Sequence, residues 1–250
     1  MWIRDAWKII AANPLGMFGI VGFYLTIIFV VTLPGDLLGL DDVSIILSAM
    51  VTPFGALAFA AAGRDVTAGK KPGIVQAFME GWKDPLVRSK LGVLGVIYGV
   101  LIMLNGYLIR ILSTETVKNW KVVDGVLDAQ SVSANIPWTA VIVGGILYIL
   151  ILFVTCFSPM LVAWRKQTIG KAFFFSLFVC LRNLVPFFGL GSGLFLIALA
   201  GTITISVLTA VLGSLSTLLI VLWGIFLTAW SYSALWPMWV TFFGEENTRV

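Results

Sequence analysis

The sequence predicts an all-α fold: a polytopic membrane bundle of six transmembrane helices in three hairpins, each preceded by a short cytoplasmic interfacial helix. Three observations lead there. Six apolar stretches, 15–33, 43–62, 91–112, 138–164, 184–212 and 215–243, are each long enough to cross a hydrocarbon core of about 30 Å at about 1.5 Å per residue. Charged residues make up 11% of the chain and hydrophobic ones 60%, whereas soluble domains carry roughly 25% charged residues. Almost every charge lies in a connector between apolar stretches. Spans and connectors together use nearly all 250 residues, so 1–250 reads as a single integral membrane domain with no separate catalytic domain.

Taken in order, the first element is an amphipathic helix over 2–10. Trp2, Ala6, Trp7 and Ile10 oppose Arg4, Asp5 and Lys8, which suits a helix lying in the interface with Trp at headgroup level. The first span follows Asn13-Pro14 and ends at Pro34-Gly35 without a small-x-small cleavage site, so it is expected to remain as a span. A second amphipathic segment, 74–83, places Ile74, Ala77, Phe78 and Trp82 on one face, away from Gln76, Glu80 and Lys83. The third, 171–182, is rich in Phe and is expected to lie deeper or to pack under the bundle. The connector 113–136 is the only sizeable one on the opposite side. Thr114-Glu115-Thr116 is expected to open a helix there, with Val117, Trp120, Val123 and Leu127 as its apolar stripe and Gly125 interrupting it.

These elements suggest three pseudo-repeats, about 1–62, 73–166 and 169–243. The start of each unit recurs as Ala6-Trp7…Asn13-Pro14, Ala77-Phe78…Asp84-Pro85 and Ser176-Leu177…Asn183-Leu184. Asn and Asp cap helix N-termini, and Pro suits the first helical position, where no N–H is needed. The far end recurs as Thr52-Pro53, Ser158-Pro159 and Trp236-Pro237, where Pro is expected to bend each second span. Glycines spaced GxxxG, Gly95 with Gly99 and Gly189 with Gly193, allow close helix approach, within the chain or between copies. Because Gly189 follows Pro186 closely, the fifth span is expected to be flexible or broken there.

Thirteen of the sixteen Lys and Arg residues fall on the side of the termini. Only Arg110, Lys118 and Lys121 fall on the other, with Asp36, Asp41, Asp42, Glu115, Asp124 and Asp128. The positive-inside rule therefore predicts that both termini are cytoplasmic. This pattern flanks membrane spans and builds no basic groove, which argues against nucleic acid.

Residues that carry chemistry are scarce. The chain has no His, which removes His-based acid–base catalysis and most zinc sites. No ionisable residue sits at mid-span; Arg110 is nearest, in the last turn of its span, within snorkelling reach of the interface. The adjacent pairs Asp41, Asp42 and Glu245, Glu246 read as solvated charge. A catalytic rim of Asp65, Glu80 and Asp84 would need convergence that no spacing predicts. Cys156 and Cys180 map to the cytoplasmic side and read as small buried hydrophobes. No catalytic residue, metal or cofactor is predicted. Lys70, Lys71, Arg165, Lys166, Lys171 and Arg182 are candidate contacts for lipid headgroups, each near-surface charge contributing about 1 kcal/mol. Trp223 and Trp230, seven apart on the last span, are candidates for lining a cavity or meeting a partner, with the hydroxyls of 202–209 opposite.

At 176–188 (SLFVCLRNLVPFF), preceded by Phe157-Ser158-Pro159, the chain resembles a family of small six-span proteobacterial inner-membrane proteins of unassigned function. It is more distantly similar to the membrane domains of some bacterial glycerophosphodiester phosphodiesterases. The resemblance implies the bacterial inner membrane and transfers no catalytic residue. The functional expectation is a non-enzymatic accessory or scaffold subunit, or a lipid-interacting protein. Its partners would be membrane lipids, a membrane-protein partner or further copies of itself. The alternative is a small-molecule or lipid transporter with a cavity inside the bundle. The orientation has a direct check: a cytoplasm-dependent reporter fused after Val250 should be active, and a periplasm-dependent one silent.

Overall fold

The computed structural model describes residues 1–123, 125–213 and 215–244. Asp124, Glu245, Glu246, Arg249 and Val250, invoked above for charge distribution and orientation, lie outside them. Among the described residues the fold is all-α apart from one small hairpin. Its helices are α1 (Trp2–Ala12), α2 (Pro14–Leu37), α3 (Asp41–Thr67), α4 (Ile74–Met79) and α5 (Pro85–Val117). After strands β1 (Val122–Val123) and β2 (Val126–Leu127) come α6 (Ala129–Ala134), α7 (Trp138–Thr155), α8 (Ser158–Ala163) and α9 (Ile169–Arg182). Helices α10 (Leu184–Leu212), α11 (Leu215–Ser233) and α12 (Leu235–Phe243) complete it. Among the described residues six helical stretches are long and apolar enough to span a membrane, α7–α8 and α11–α12 each supplying one.

The starts of two spans follow the expected chemistry. Asn13 Oδ1 accepts from Gly16 N at 3.0 Å, and Asp84 Oδ1 accepts from Leu86 N at 2.9 Å. Each cap is followed by Pro at the first helical position. The third start differs. Asn183 donates its amide backwards to Val179 O at 2.8 Å, tying off the end of α9 and leaving α10 without a side-chain cap.

Two further expectations are corrected, for the fifth span and for the connector after α5. Helix α10 runs unbroken through Gly189 and Gly193; Pro186 sits in its first turn, where a missing N–H breaks no helical bond. Of the three recurring prolines, Pro53 lies inside a continuous α3, and the helices are interrupted before Pro159 and Pro237. Thr114, Glu115 and Thr116 form the end of α5 and open no new helix. Beyond them Val122 pairs with Leu127 and Val123 with Val126. Gly125, at φ +78°, supplies the left-handed turn residue between the strands.

Helix α3 is the hub. It packs on α2, α5, α4, α8, α11 and α12, and every residue from Gly55 to Gly63 is buried. The six long helices, α3 among them, follow the order α10, α11, α2, α3, α5, α7, each packed on the next. Helices α1, α4 and α9 gather with α8 and α12 at one end, here called the base. The buried side of α9 is its small-residue stripe Ala172, Ser176 and Cys180, while Phe174, Phe175 and Phe178 face outward. A stripe of small residues lets α9 lie close against α7 and α8 at the base.

Helix α9 also mends the α7–α8 break. Ser176 Oγ accepts from Phe157 N at 3.0 Å and donates to Phe153 O at 2.6 Å, satisfying backbone groups that have no water to turn to.

The glycines of α5 set the α3–α5 distance. A side chain at Gly95 would collide with Met50 Cα, and one at Gly99 would lie 3.1 Å from Ile46 Cα. Gly95→Val should therefore destabilise the protein by about 1–3 kcal/mol, read as a lower thermal midpoint in detergent. Gly92→Val, with open space at its Cβ, should leave the midpoint unchanged or raise it.

Candidate functional site: an apolar cleft and the ion pairs at the base

The prolines and breaks shape a cavity of about 840 Å³ in the basal half of the bundle. Its walls come from α3, α5, α7, α8, α10, α11 and α12. Thr52-Pro53 and Ser158-Pro159 line it, as do Tyr232, Leu235 and Met238 around the α11–α12 break. Among the described residues no charged side chain lines it.

One side of this cavity is open. Helices α7 and α10 stand at the two ends of the helix order and are not packed along one another. Both nevertheless line the cavity, through Ile149 and Leu152 on α7 and Gly191, Leu194 and Phe195 on α10. Phe188, Phe195 and Leu196 are 56%, 65% and 62% exposed, so they form a lip that would face lipid tails. Towards the base the cavity has an aromatic floor. The Phe187 ring lies 5.5 Å from Trp2 and Phe153, 5.9 Å from Phe242 and 6.2 Å from Phe157.

At the base, sequence-distant charges converge. Arg64 holds Glu80 in a two-pronged ion pair, Nη1 to Oε1 at 2.9 Å and Nη2 to Oε2 at 2.8 Å, a geometry that adds direction to attraction. Trp164 Nε1 also donates to Glu80 Oε1, and the Arg64 guanidinium lies 5.6 Å from the Trp164 ring centroid. Asp65 meets Arg64 at 3.3 Å. Asp84 pairs with Lys166 at 2.9 Å. That hydrogen bond, with the one from Leu86 N, holds the Asp84 carboxyl below the usual carboxylate range. The carboxylates Asp65, Glu80 and Asp84 are thus each committed to a cation at close range.

The candidate lipid contacts divide. Arg165 donates to Phe243 O and stacks over Trp239 and Phe243 at 5.6 and 5.2 Å, and Lys166 is bound to Asp84. Lys70, Lys71, Lys171 and Arg182 are exposed. Neither Trp223 nor Trp230 lines the cavity. Trp230 donates to Ile3 O at 2.9 Å, anchoring α1; Trp223 stacks on Phe226 with centroids 5.2 Å apart and fills the notch at Gly201. The hydroxyls of Thr204, Ser206 and Thr209 donate to their own helix carbonyls. Sequence reasoning missed the Arg64–Glu80–Trp164 tie; its one available signal was Glu80, an acid flanking an amphipathic face in a basic connector.

These features define a class, an all-α, multi-pass membrane protein built around a laterally open apolar cleft. No family model matches the chain and no solved structure matches it. It is similar to a probable inner membrane protein of Burkholderia thailandensis, 25% identical over 260 residues that cover 99% of this chain and 91% of that protein. The comparisons lend no support to the likeness with phosphodiesterase membrane domains.

Glu80→Ala should lower stability by about 2–3 kcal/mol, because it leaves Arg64 and the Trp164 N–H without their shared acceptor. Glu80→Gln, which keeps a side-chain acceptor, should cost less. Thermal unfolding in detergent reads both.

Proposed function

We propose that this chain is a non-enzymatic, lipid-interacting protein of the bacterial inner membrane that holds an apolar lipid chain in the cleft between α7 and α10. The observation that carries the reading is the cleft itself: large enough for a ligand, free of charged lining residues and open at the side. The Burkholderia relative supports the location. The Lys and Arg distribution supports a cytoplasmic base with both termini inside. In this orientation α1, α4 and α9 lie in the plane of the inner leaflet, as the interfacial helices of three repeated units. Lys70, Lys71, Lys171 and Arg182 are then positioned for anionic headgroups. Translocation is the second reading, favoured by breaks in two spans beside a cavity. It would require the Trp2–Phe187–Phe242 floor to open.

Two glycines of α10 test the proposal. Gly191 lines the cleft and Gly189 does not, and neither has an atom within 4 Å of where a Cβ would stand. Native mass spectrometry of gently extracted protein should find lipid on the wild type and on Gly189→Phe, and little on Gly191→Phe. A lipid-free wild type, or equal retention by Gly191→Phe, would reject this reading.

A further inference from the structure

The polar atoms of the cleft restrict what kind of lipid fits, given the acyl-binding reading above. Three of its hydroxyls have already given their protons away. Thr155 Oγ1 donates to Ile151 O at 2.8 Å, Ser158 Oγ to Val154 O at 2.6 Å, and Thr52 Oγ1 to Ser48 O at 3.3 Å. These oxygens have only lone pairs left to offer. Ser158 is fully buried and Thr52 Oγ1 already accepts from Tyr24 Oη at 3.4 Å, so the partly exposed Thr155 is the one placed to meet a ligand. The α7–α8 break adds another acceptor. Pro159 has no N–H, so the Thr155 carbonyl loses the partner that a continuous helix would supply. Thr155, Ser158 and Pro159 all line the cleft. One wall therefore offers a cluster of hydrogen-bond acceptors, with no Lys, Arg or Asp among the described lining residues to bind or repel an ion.

The depth matters as well. Thr155 lies eight residues, about 12 Å along the helix, inside the Trp138–Ala163 span. A phosphate at this depth would have no cation to offset its desolvation. An uncharged group with a proton to donate satisfies the wall and needs no counter-charge.

We infer that the ligand of the cleft is a neutral lipid with a hydroxyl headgroup, of the diacylglycerol or long-chain alcohol type, whose O–H donates to the hydroxyl or carbonyl oxygen of Thr155. Anionic phospholipids then meet the protein at the basal Lys and Arg residues and stay out of the cleft.

The test is competition in neutral detergent, read by native mass spectrometry, between dioleoylglycerol, its 3-methyl ether and dioleoylphosphatidylglycerol. Wild-type protein should retain dioleoylglycerol about tenfold over the methyl ether, the equivalent of one to two hydrogen bonds, and over the phosphatidylglycerol. The ether carries a methyl group in place of that proton, and both lipids meet the same protein, so no folding defect enters the comparison. Thr155→Val combined with Pro159→Ala removes one acceptor and returns an N–H to the other, and should bring alcohol and ether to parity. Equal retention of alcohol and ether by the wild type, or preference for phosphatidylglycerol, would overturn the inference while leaving an acyl-binding cleft. Retention of none of the three would reject the cleft as a lipid site and this inference with it.

Discussion

The whole bundle depends on how closely other helices can approach α3. Between lipid tails, helices gain nothing from hiding apolar surface, because the tails are as apolar as Leu. Cohesion has to come from close packing, and α3 supplies it with a run of Gly and Ala. Gly55 leaves room for the Tyr24 ring of α2, and Gly63 for Trp236 of α12. On the other flank it is α5 that is small, with Gly95 and Gly99 against the α3 backbone. Large rings then fill the gaps that small residues leave: Tyr232 stacks on Phe59 at 4.6 Å, and Tyr24 meets both edge-on.

Packing of this kind is weakly directional, and the base adds direction. Arg64 lies in the last turn of the hub helix, Glu80 follows α4 and Trp164 follows α8, so one carboxylate ties together three separated segments. Arg64 and Glu80 are only about a quarter exposed, a setting where losing one partner costs much more than at an open surface. Ser176 does a similar job for the backbone, joining α9 to the gap between α7 and α8. Both devices belong to the base, where the short helices lie.

The cleft follows from what these ties omit. With α3 central and the long helices arranged around it, the order ends at α7 and α10, and α9 joins them only at the base. The interior near Pro159 is therefore reachable from the side yet floored by Trp2, Phe187 and Phe242. Such a shape admits a chain from the bilayer more readily than a solute from water. The chemistry of its wall agrees, since every described lining residue is uncharged.

The sequence by itself determined the class, the six spans and most of their starts. Span length, the Asn13-Pro14 and Asp84-Pro85 caps and the crowding of charge into connectors are local properties, and local physics decides them. It misread the 113–136 connector because Val-rich residues around Gly125 support a strand as readily as a helix stripe. It also misjudged α10, where Pro186 is harmless in a first turn. Only the tertiary structure decided which charges meet, that Trp223 and Trp230 pack the α10–α11 and α1–α11 contacts, and that a cleft exists. Arg64 and Glu80 are separated by a turn and a short helix, and Thr52, Thr155 and Tyr232 stand in different spans. Their meeting depends on helix order and rotation around α3, which periodicity in an almost uniformly apolar segment does not encode.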